Sequence, residues 1–187
     1  DNFDEALHEL VADTFRNHQR IIFSGNGYSD EWKEEAARRG LSNFPSTAEC
    51  LPSYLEQKNI QLVTKHNIFT EAEFHARYAI YTESYNKIVR IEARTTVDMA
   101  MRQILPAVLH YARHLHRITK LSDSLYDACE RLKALLGKIP ADKVEASTYF
   151  HEFIIPAMDA VRSDADALEE LTDKAYWPFP TYSDLLF

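Results

Sequence analysis

Three histidines stand closest to metal-binding spacing in this chain. His110 and His114 lie four apart on one helical face with His116 nearby, the spacing by which two imidazoles share a metal ion. No carboxylate or cysteine at matching spacing completes a ligand set, so they read as surface or boundary residues. Glu5-Ala6-Leu7-His8 is a single Glu-x-x-His motif. A di-metal carboxylate bundle needs two, and a second is absent. Arg94, Asp98 and Arg102 follow one another at four-residue steps, giving either a ladder of ion pairs along one helix face or a pocket for a small anion or amino acid. Gly25-Asn26-Gly27 could turn the chain around a phosphate, yet it lacks the spaced glycines and lysine of a P-loop. No nucleophile elbow occurs. Cys50 and Cys129 lack metal-ligand spacing and read as reduced, structural thiols. These side chains assign no catalytic, cofactor-binding or metal-binding residue, and leave a scaffold to account for.

The composition specifies what kind of scaffold. The chain has 187 residues, 45% hydrophobic and 27% charged, enough for one ordinary core. Four glycines occur, three of them within the first forty residues, so the later chain lacks the turn punctuation of a many-stranded fold. An all-α fold is expected. The formal charge of -8 opposes nucleic-acid binding, which needs clustered Lys and Arg. Asp164, Asp166, Glu169, Glu170 and Asp173 read as a solvated acidic face. No apolar run is long enough to span a membrane and no basic-then-apolar leader appears, so a cytoplasmic protein is expected. The opening Asp1-Asn2-Phe3 without an initiator methionine suggests a piece of a longer chain.

Hydrophobic periodicity supplies the elements. Phe3, Leu7, Leu10, Val11, Thr14 and Phe15 form one helical stripe. Gly25-Asn26-Gly27 is expected to turn through positive φ, followed by a short helix capped by Ser29 and closed by Gly40. Ser46 and Glu49 carry capping spacing before a third helix, and a short connecting segment spans 60–68. Thr70 and Glu73 repeat that spacing at the start of a helix expected to run to about residue 119. Its predicted seam is Phe74, Tyr78, Tyr81, Tyr85 and Ile88, with a kink at Pro106. Leu121, Leu125, Ala128, Leu132 and Leu135 mark another long helix ended by Gly137. A last one starts near Pro140 and carries Phe150, Ile154, Ala157, Val161, Leu168, Leu171 and Ala175, with Asp164 as a polar intruder. Steps of four and three predict an antiparallel bundle of long helices. One helical domain is expected over 1–187, with short helices in 1–69, the bundle in 70–175 and an extended aromatic tail in 176–187. Its prolines keep that tail from being helical, and its oily side chains require it to dock on its own bundle or on a neighbour.

Several stretches resemble one known family. Arg20-Ile21-Ile22-Phe23-Ser24-Gly25-Asn26-Gly27-Tyr28-Ser29-Asp30-Glu31-Trp32, Ile91-Glu92-Ala93 through Asp98-Met99-Ala100, Arg102-Gln103-Ile104-Leu105-Pro106-Ala107, Ile155-Pro156-Ala157-Met158 and Tyr176-Trp177-Pro178-Phe179-Pro180-Thr181-Tyr182 with Asp184-Leu185-Leu186-Phe187 are similar to the region after the catalytic domain of type III glutamine synthetases. The resemblance implies the C-terminal helical part of an enzyme that joins glutamate and ammonia with ATP hydrolysis, using Mg²⁺ or Mn²⁺. It places the metal, glutamate and nucleotide residues upstream, so none is carried onto this chain, and it makes 1–69 short helices and a linking segment from the end of the catalytic region. It further implies a structural and assembly role next to an upstream catalytic domain and neighbouring subunits in two stacked hexameric rings, with Trp177, Phe179, Tyr182 and Leu186 in a subunit or domain contact. A regulatory domain binding a small anion or amino acid at Arg94, Asp98 and Arg102 is the alternative. The connection between Arg113 and Ser122 is shorter than the family pattern.

Overall fold

A computed structural model describes residues 2–111, 116–181 and 184–185. They are helical or irregular, and no strand occurs among them. The chain divides into two compact units, Asp1–Pro45 and Ser46–Phe187.

The first unit holds α1 (Asn2–Asn17), a 3-10 turn (Gln19–Ile21) and α2 (Asp30–Arg38). Neither Gly25 nor Gly27 takes positive φ, contrary to the expected turn. Asn26 organises it instead, its Oδ1 accepting from the Tyr28 N–H at 3.0 Å, as Asn side chains do in place of a backbone turn. Ser29 precedes α2 with extended backbone but its hydroxyl donates back to the Asn26 carbonyl at 2.9 Å, so it does not cap the helix. Gly40 closes α2 at φ 67°, and the Leu41 N–H reaches the Ala36 carbonyl at 2.9 Å, the paired-bond ending that favours glycine. Phe23 packs on Trp32 with ring centres 4.8 Å apart, and the Arg39 guanidinium lies over Phe23. Arg39 also bonds the Ile22 carbonyl and pairs with Glu35. With Arg38 donating first and Arg39 second, the Glu35 carboxyl is held at about 2.

The second unit begins with α3 (Thr47–Cys50), where Ser46 Oγ accepts from the Glu49 N–H at 3.2 Å. A 3-10 turn (Leu51–Leu55) follows, with Pro52 near its start. The stretch read as a connection is largely helical: α4 spans Gln57–Lys65 and ends at Asn67 in the left-handed region, φ 53°. α5 (Glu71–Met99) opens with the full capping box, Thr70 Oγ1 accepting from Glu73 N–H while the Glu73 carboxylate accepts from the Thr70 N–H at 2.8 Å.

The proline kink takes a specific form. A π-helical turn (Ala100–Ile104) separates α5 from α6 (Leu105–Tyr111). The last rod, expected to run unbroken, contains the same device: α8 (Lys143–Tyr149), a π turn (Phe150–Ile154), then α9 (Ile155–Leu171). Each π turn ends two residues before a proline, Pro106 or Pro156. Proline offers no N–H to the carbonyl four residues back and its ring crowds that carbonyl, so the helix widens just before it. The last rod starts at Lys143, not at Pro140, because the Asp142 carboxylate caps the Val144 and Glu145 amides. It ends at Leu171, four residues short of Ala175. α7 (His116–Leu136) joins the two proline-broken rods.

Contacts set the directions. Tyr149 Oη donates to the Leu135 carbonyl at 3.1 Å and Ser124 Oγ to Asp164 at 2.9 Å, so α7 runs against α8–α9. The second bond also explains the polar intruder Asp164. Asn86 meets Ser147, and Ile104 shares a groove with Val161, so α5 and α8–α9 run the same way. Val89, Ala93, Val97, Ile104 and Val108 pack with Leu125, Cys129, Leu132, Phe150, Ile154, Val161 and Leu168 in one core.

The α5 seam differs from the predicted one. The buried line is Phe74, Thr82, Asn86, Val89, Ala93 and Val97, whereas Tyr81 and Ile88 are exposed. Two polar residues replace two large apolar ones because each is satisfied where it stands. Thr82 Oγ1 donates to the Tyr78 carbonyl at 2.9 Å, and Asn86 bonds α8. Satisfied polar groups bury at little cost, and small ones let a neighbouring helix approach.

Candidate functional site

The features that distinguish this molecule from a plain bundle gather on two faces of α5. On its inner side, against α8, lies a polar lock. The Asn86 amide donates to the Lys143 carbonyl at 2.8 Å and Asn86 Oδ1 accepts from Ser147 Oγ at 2.9 Å. At the rim, Glu83 receives Lys87 at 2.8 Å and Lys143 at 2.9 Å, and these two ammonium groups hold its carboxyl at about 2.

On the opposite face of α5, Ile80, Ile88 and Ile91 project outward and are more than half exposed. At 100° per residue they lie across the helix from Val89, Ala93 and Val97. The same outer face continues into Asp98 and Arg102, paired at 2.9 Å, with Arg94 exposed alongside. Of the predicted ladder only the Asp98–Arg102 rung forms among the described residues, and it is solvent-exposed. A pair of this kind contributes at most about 1 kcal/mol. These three residues line none of the described cavities.

The aromatic tail returns along the bundle. Asp173 starts the reversal: its carboxylate accepts from the Ala175 N–H at 2.8 Å and its carbonyl from the Tyr176 N–H at 2.8 Å. The Tyr176 ring lies 5.2 Å from Tyr111 and 5.7 Å from His110. Trp177 and Phe179 pack against the main core. Asp184 then ties the tail off, accepting from the Thr181 N–H at 3.0 Å and from Lys174. The Lys174 ammonium first, then Thr181, hold the Asp184 carboxyl at about 2. Tyr182 and Leu186 lie outside the described residues, as do Ala112 and the Arg113–Leu115 part of the Arg113-to-Ser122 connection. Between the tail, the first π turn and α9 lies a groove of about 440 Å³, floored by Met99, Ile104, Val161 and Trp177 and rimmed by Asp159 and Asp166.

His114 also falls outside the described residues, and His110 faces Tyr176 instead of a ligand set. No group of three metal-capable side chains occurs among the described residues. Cys129 is buried in the core, which pushes its thiol up, and Cys50 is exposed. No described helix is long and apolar enough to cross a membrane. Sequence reasoning missed the Asn86–Ser147 lock and the isoleucine face. The second is legible as Ile80, Ile88 and Ile91 at helical spacing, but the predicted inner seam runs through Ile88.

Comparison with known proteins decides the family. The model for the glutamine synthetase C-terminal domain matches residues 6–122, more than half of the chain. The chain belongs to this family. It is 31% identical to a glutamine synthetase of Butyrivibrio fibrisolvens over 212 residues, covering 100% of this chain and 30% of the relative. It is 33% identical to the type-3 glutamine synthetase of Dictyostelium discoideum, covering 97% of the chain and 29% of the relative. A glutamine synthetase of Bacteroides fragilis is 30% identical over 98% of the chain and 29% of its own length. This glutamine synthetase C-terminal domain thus spans about 30% of the length of the curated relatives it matches. The aligned length of 212 exceeds its 187 residues, so the Butyrivibrio relative carries residues without a counterpart here.

Proposed function

We propose that this domain is the non-catalytic structural and assembly part of a glutamine synthetase, whose parent chain joins ammonia to glutamate with ATP hydrolysis in the cytoplasm. In that reading ATP and Mg²⁺ or Mn²⁺ are held upstream, and the bundle braces the catalytic domain and neighbouring subunits of two stacked hexameric rings. Nucleic acid and membrane are not partners. The observation that carries the reading is the two-sided α5. A helix with Val89, Ala93 and Val97 buried on one side and Ile80, Ile88 and Ile91 exposed on the other presents a rigid apolar strip to a partner. Asp98, Arg102 and Arg94 at its end supply charged contacts that fix register. In the tail, Trp177 and Phe179 anchor the segment while Tyr182 and Leu186 extend the contact. In the full-length enzyme, Ile88→Asp with Ile91→Asp, and separately deletion of 176–187, should lower the oligomer's mass by light scattering. An intact, fully active oligomer in both variants would end the proposal.

A second reading, a regulatory domain for a small anion or amino acid, loses its predicted pocket at Arg94, Asp98 and Arg102, which line no described cavity. It rests instead on the roughly 440 Å³ groove, whose Asp159 and Asp166 rim suits the ammonium of an amino acid better than an anion. Thermal melts of the full enzyme with glutamine, glutamate, ATP and phosphate test it, because a ligand bound only by the folded state raises the midpoint. Deletion of 176–187, which removes part of the groove wall, should abolish any such shift. Melts that do not respond to the panel count against it.

A further inference from the structure

None of the residues of α1 is buried, yet one side of it carries Phe3, Leu7, Leu10, Val11 and Phe15, from 46% to 73% exposed. Its other side carries Glu5, Glu9 and Arg16, so the helix is amphipathic and its own unit, residues 1–45, supplies no surface for its apolar side. A 16-residue helix alone in water is marginal and depends on packing for most of its stability.

The size of the stripe argues about its occupant. At about 1.5 Å per residue the helix is roughly 24 Å long, and a strip about 10 Å wide presents on the order of 250 Å². Two copies pairing through it would bury roughly 500 Å², about half of what a stable association between separate chains requires. A surface on the same polypeptide escapes that limit, because covalent linkage supplies a millimolar-range effective concentration. Such a polypeptide surface is available in the relatives. They are more than three times the length of this chain, and the matched family is the C-terminal domain, so their remaining length precedes the α1 segment.

We propose that the Phe3–Phe15 face of α1 is a docking face for the preceding catalytic region of the same polypeptide, seated in an apolar groove there. The proposal rests on the glutamine synthetase reading and names the partner for a face distinct from the α5 strip. α1 is then the element that fixes this domain to the catalytic region, while α5 and the tail serve other contacts.

The test places the photo-crosslinking residue p-benzoylphenylalanine at Leu10 in the full-length enzyme, with a second variant carrying it at Glu9 on the opposite face. The expected result is a Leu10 product that migrates as a single chain and maps to a peptide preceding Asp1, at least tenfold more abundant than from Glu9. A dimer-sized product, a peptide from residues 46–187, equal yield from Glu9, or no product from Leu10 overturns it. Failure here with oligomer loss in the α5 and tail variants removes the docking inference alone. A mapped crosslink with an intact oligomer in those variants removes the assembly reading alone.

Discussion

Ser147 Oγ donates to Asn86 Oδ1 across 2.9 Å between two helices whose residues are 61 positions apart. Asn86 in turn donates to the Lys143 carbonyl, so one side chain both receives α8's hydroxyl and caps one of its carbonyls. The lock sits where α5 and α8 approach, beside the small residue Ala146. A leucine at either position would hold the helices apart.

Breaking this lock should cost more than an ordinary surface hydrogen bond. Asn86→Ala removes both bonds between the helices and leaves the Ser147 hydroxyl only the Lys143 carbonyl of its own helix, and two bonds of about 0.5–1.5 kcal/mol each give a loss of about 1–3 kcal/mol. Ser147→Ala leaves Asn86 with its second bond and should cost less. Denaturant melts of both single variants and the double variant measure the coupling. A double variant equal to the sum of the singles would show that the two residues act independently.

Tyr85 makes the opposite prediction. Its hydroxyl is buried without a hydrogen-bond partner among the described residues, and burial, followed by Glu92, pushes its pKa up. Tyr85→Phe removes an unsatisfied group and keeps the ring, so it should be neutral or stabilising by up to about 1 kcal/mol. A clear loss in the thermal midpoint would mean that the hydroxyl has a partner in solution.

The glycines should respond unequally. A Cβ on Gly25 would overlap the tip of the Phe23 ring, so Gly25→Ala should shift that ring against Trp32, with a change in Trp32 fluorescence and a cost of about 1 kcal/mol. Gly40→Ala should cost a similar amount, about 1 kcal/mol, through its left-handed backbone. Gly27→Ala meets no atom within 4 Å and no positive φ, and should be tolerated.

Acid should loosen the tail. The Asp184 carboxyl is held at about 2 by Lys174 and Thr181, below its ordinary 3.8. A depressed carboxylate contributes stability that is fully present above the ordinary value and lost as pH falls through the lowered one. The window is therefore about pH 4 to 2. In a Trp32→Phe background, Trp177 fluorescence should shift to the red in that window, and Asp184→Asn, which lacks the titrating carboxyl, should show the red-shifted emission already at neutral pH and no transition in the window. Unchanged emission down to pH 2 would show that Trp177 is held without the Asp184 clasp.

Much of this was legible in the residues themselves. The Thr70–Glu73 and Ser46–Glu49 caps, Gly40 as a stop, Pro106 as an interruption and the seam from Leu121 to Leu135 are local signals, set by which amides and carbonyls a neighbouring side chain can reach. Ala36, Leu51 and Ile60 mark where short elements bury their few core contacts. The motifs shared with type III glutamine synthetases placed the family. The α5 seam was misread because a search for large apolar steps passes over Thr82 and Asn86, whose burial depends on partners that only packing supplies. The break before Pro156 is not legible as an interruption because the seam residues continue in phase on both sides of the π turn.

Local chemistry along the chain was enough to determine the helical class and the boundaries at Ser46, Thr70, Gly40 and Gly137, because capping and periodicity act within a few residues. Only the tertiary structure decided that Asn86 and Ser147 form a lock, that Asp164 serves Ser124, that Trp177 and Phe179 return to their own bundle, and that Ile80, Ile88 and Ile91 face outward. Each of these depends on which residues meet across dozens of positions, and no spacing rule within one helix specifies what stands on the other side.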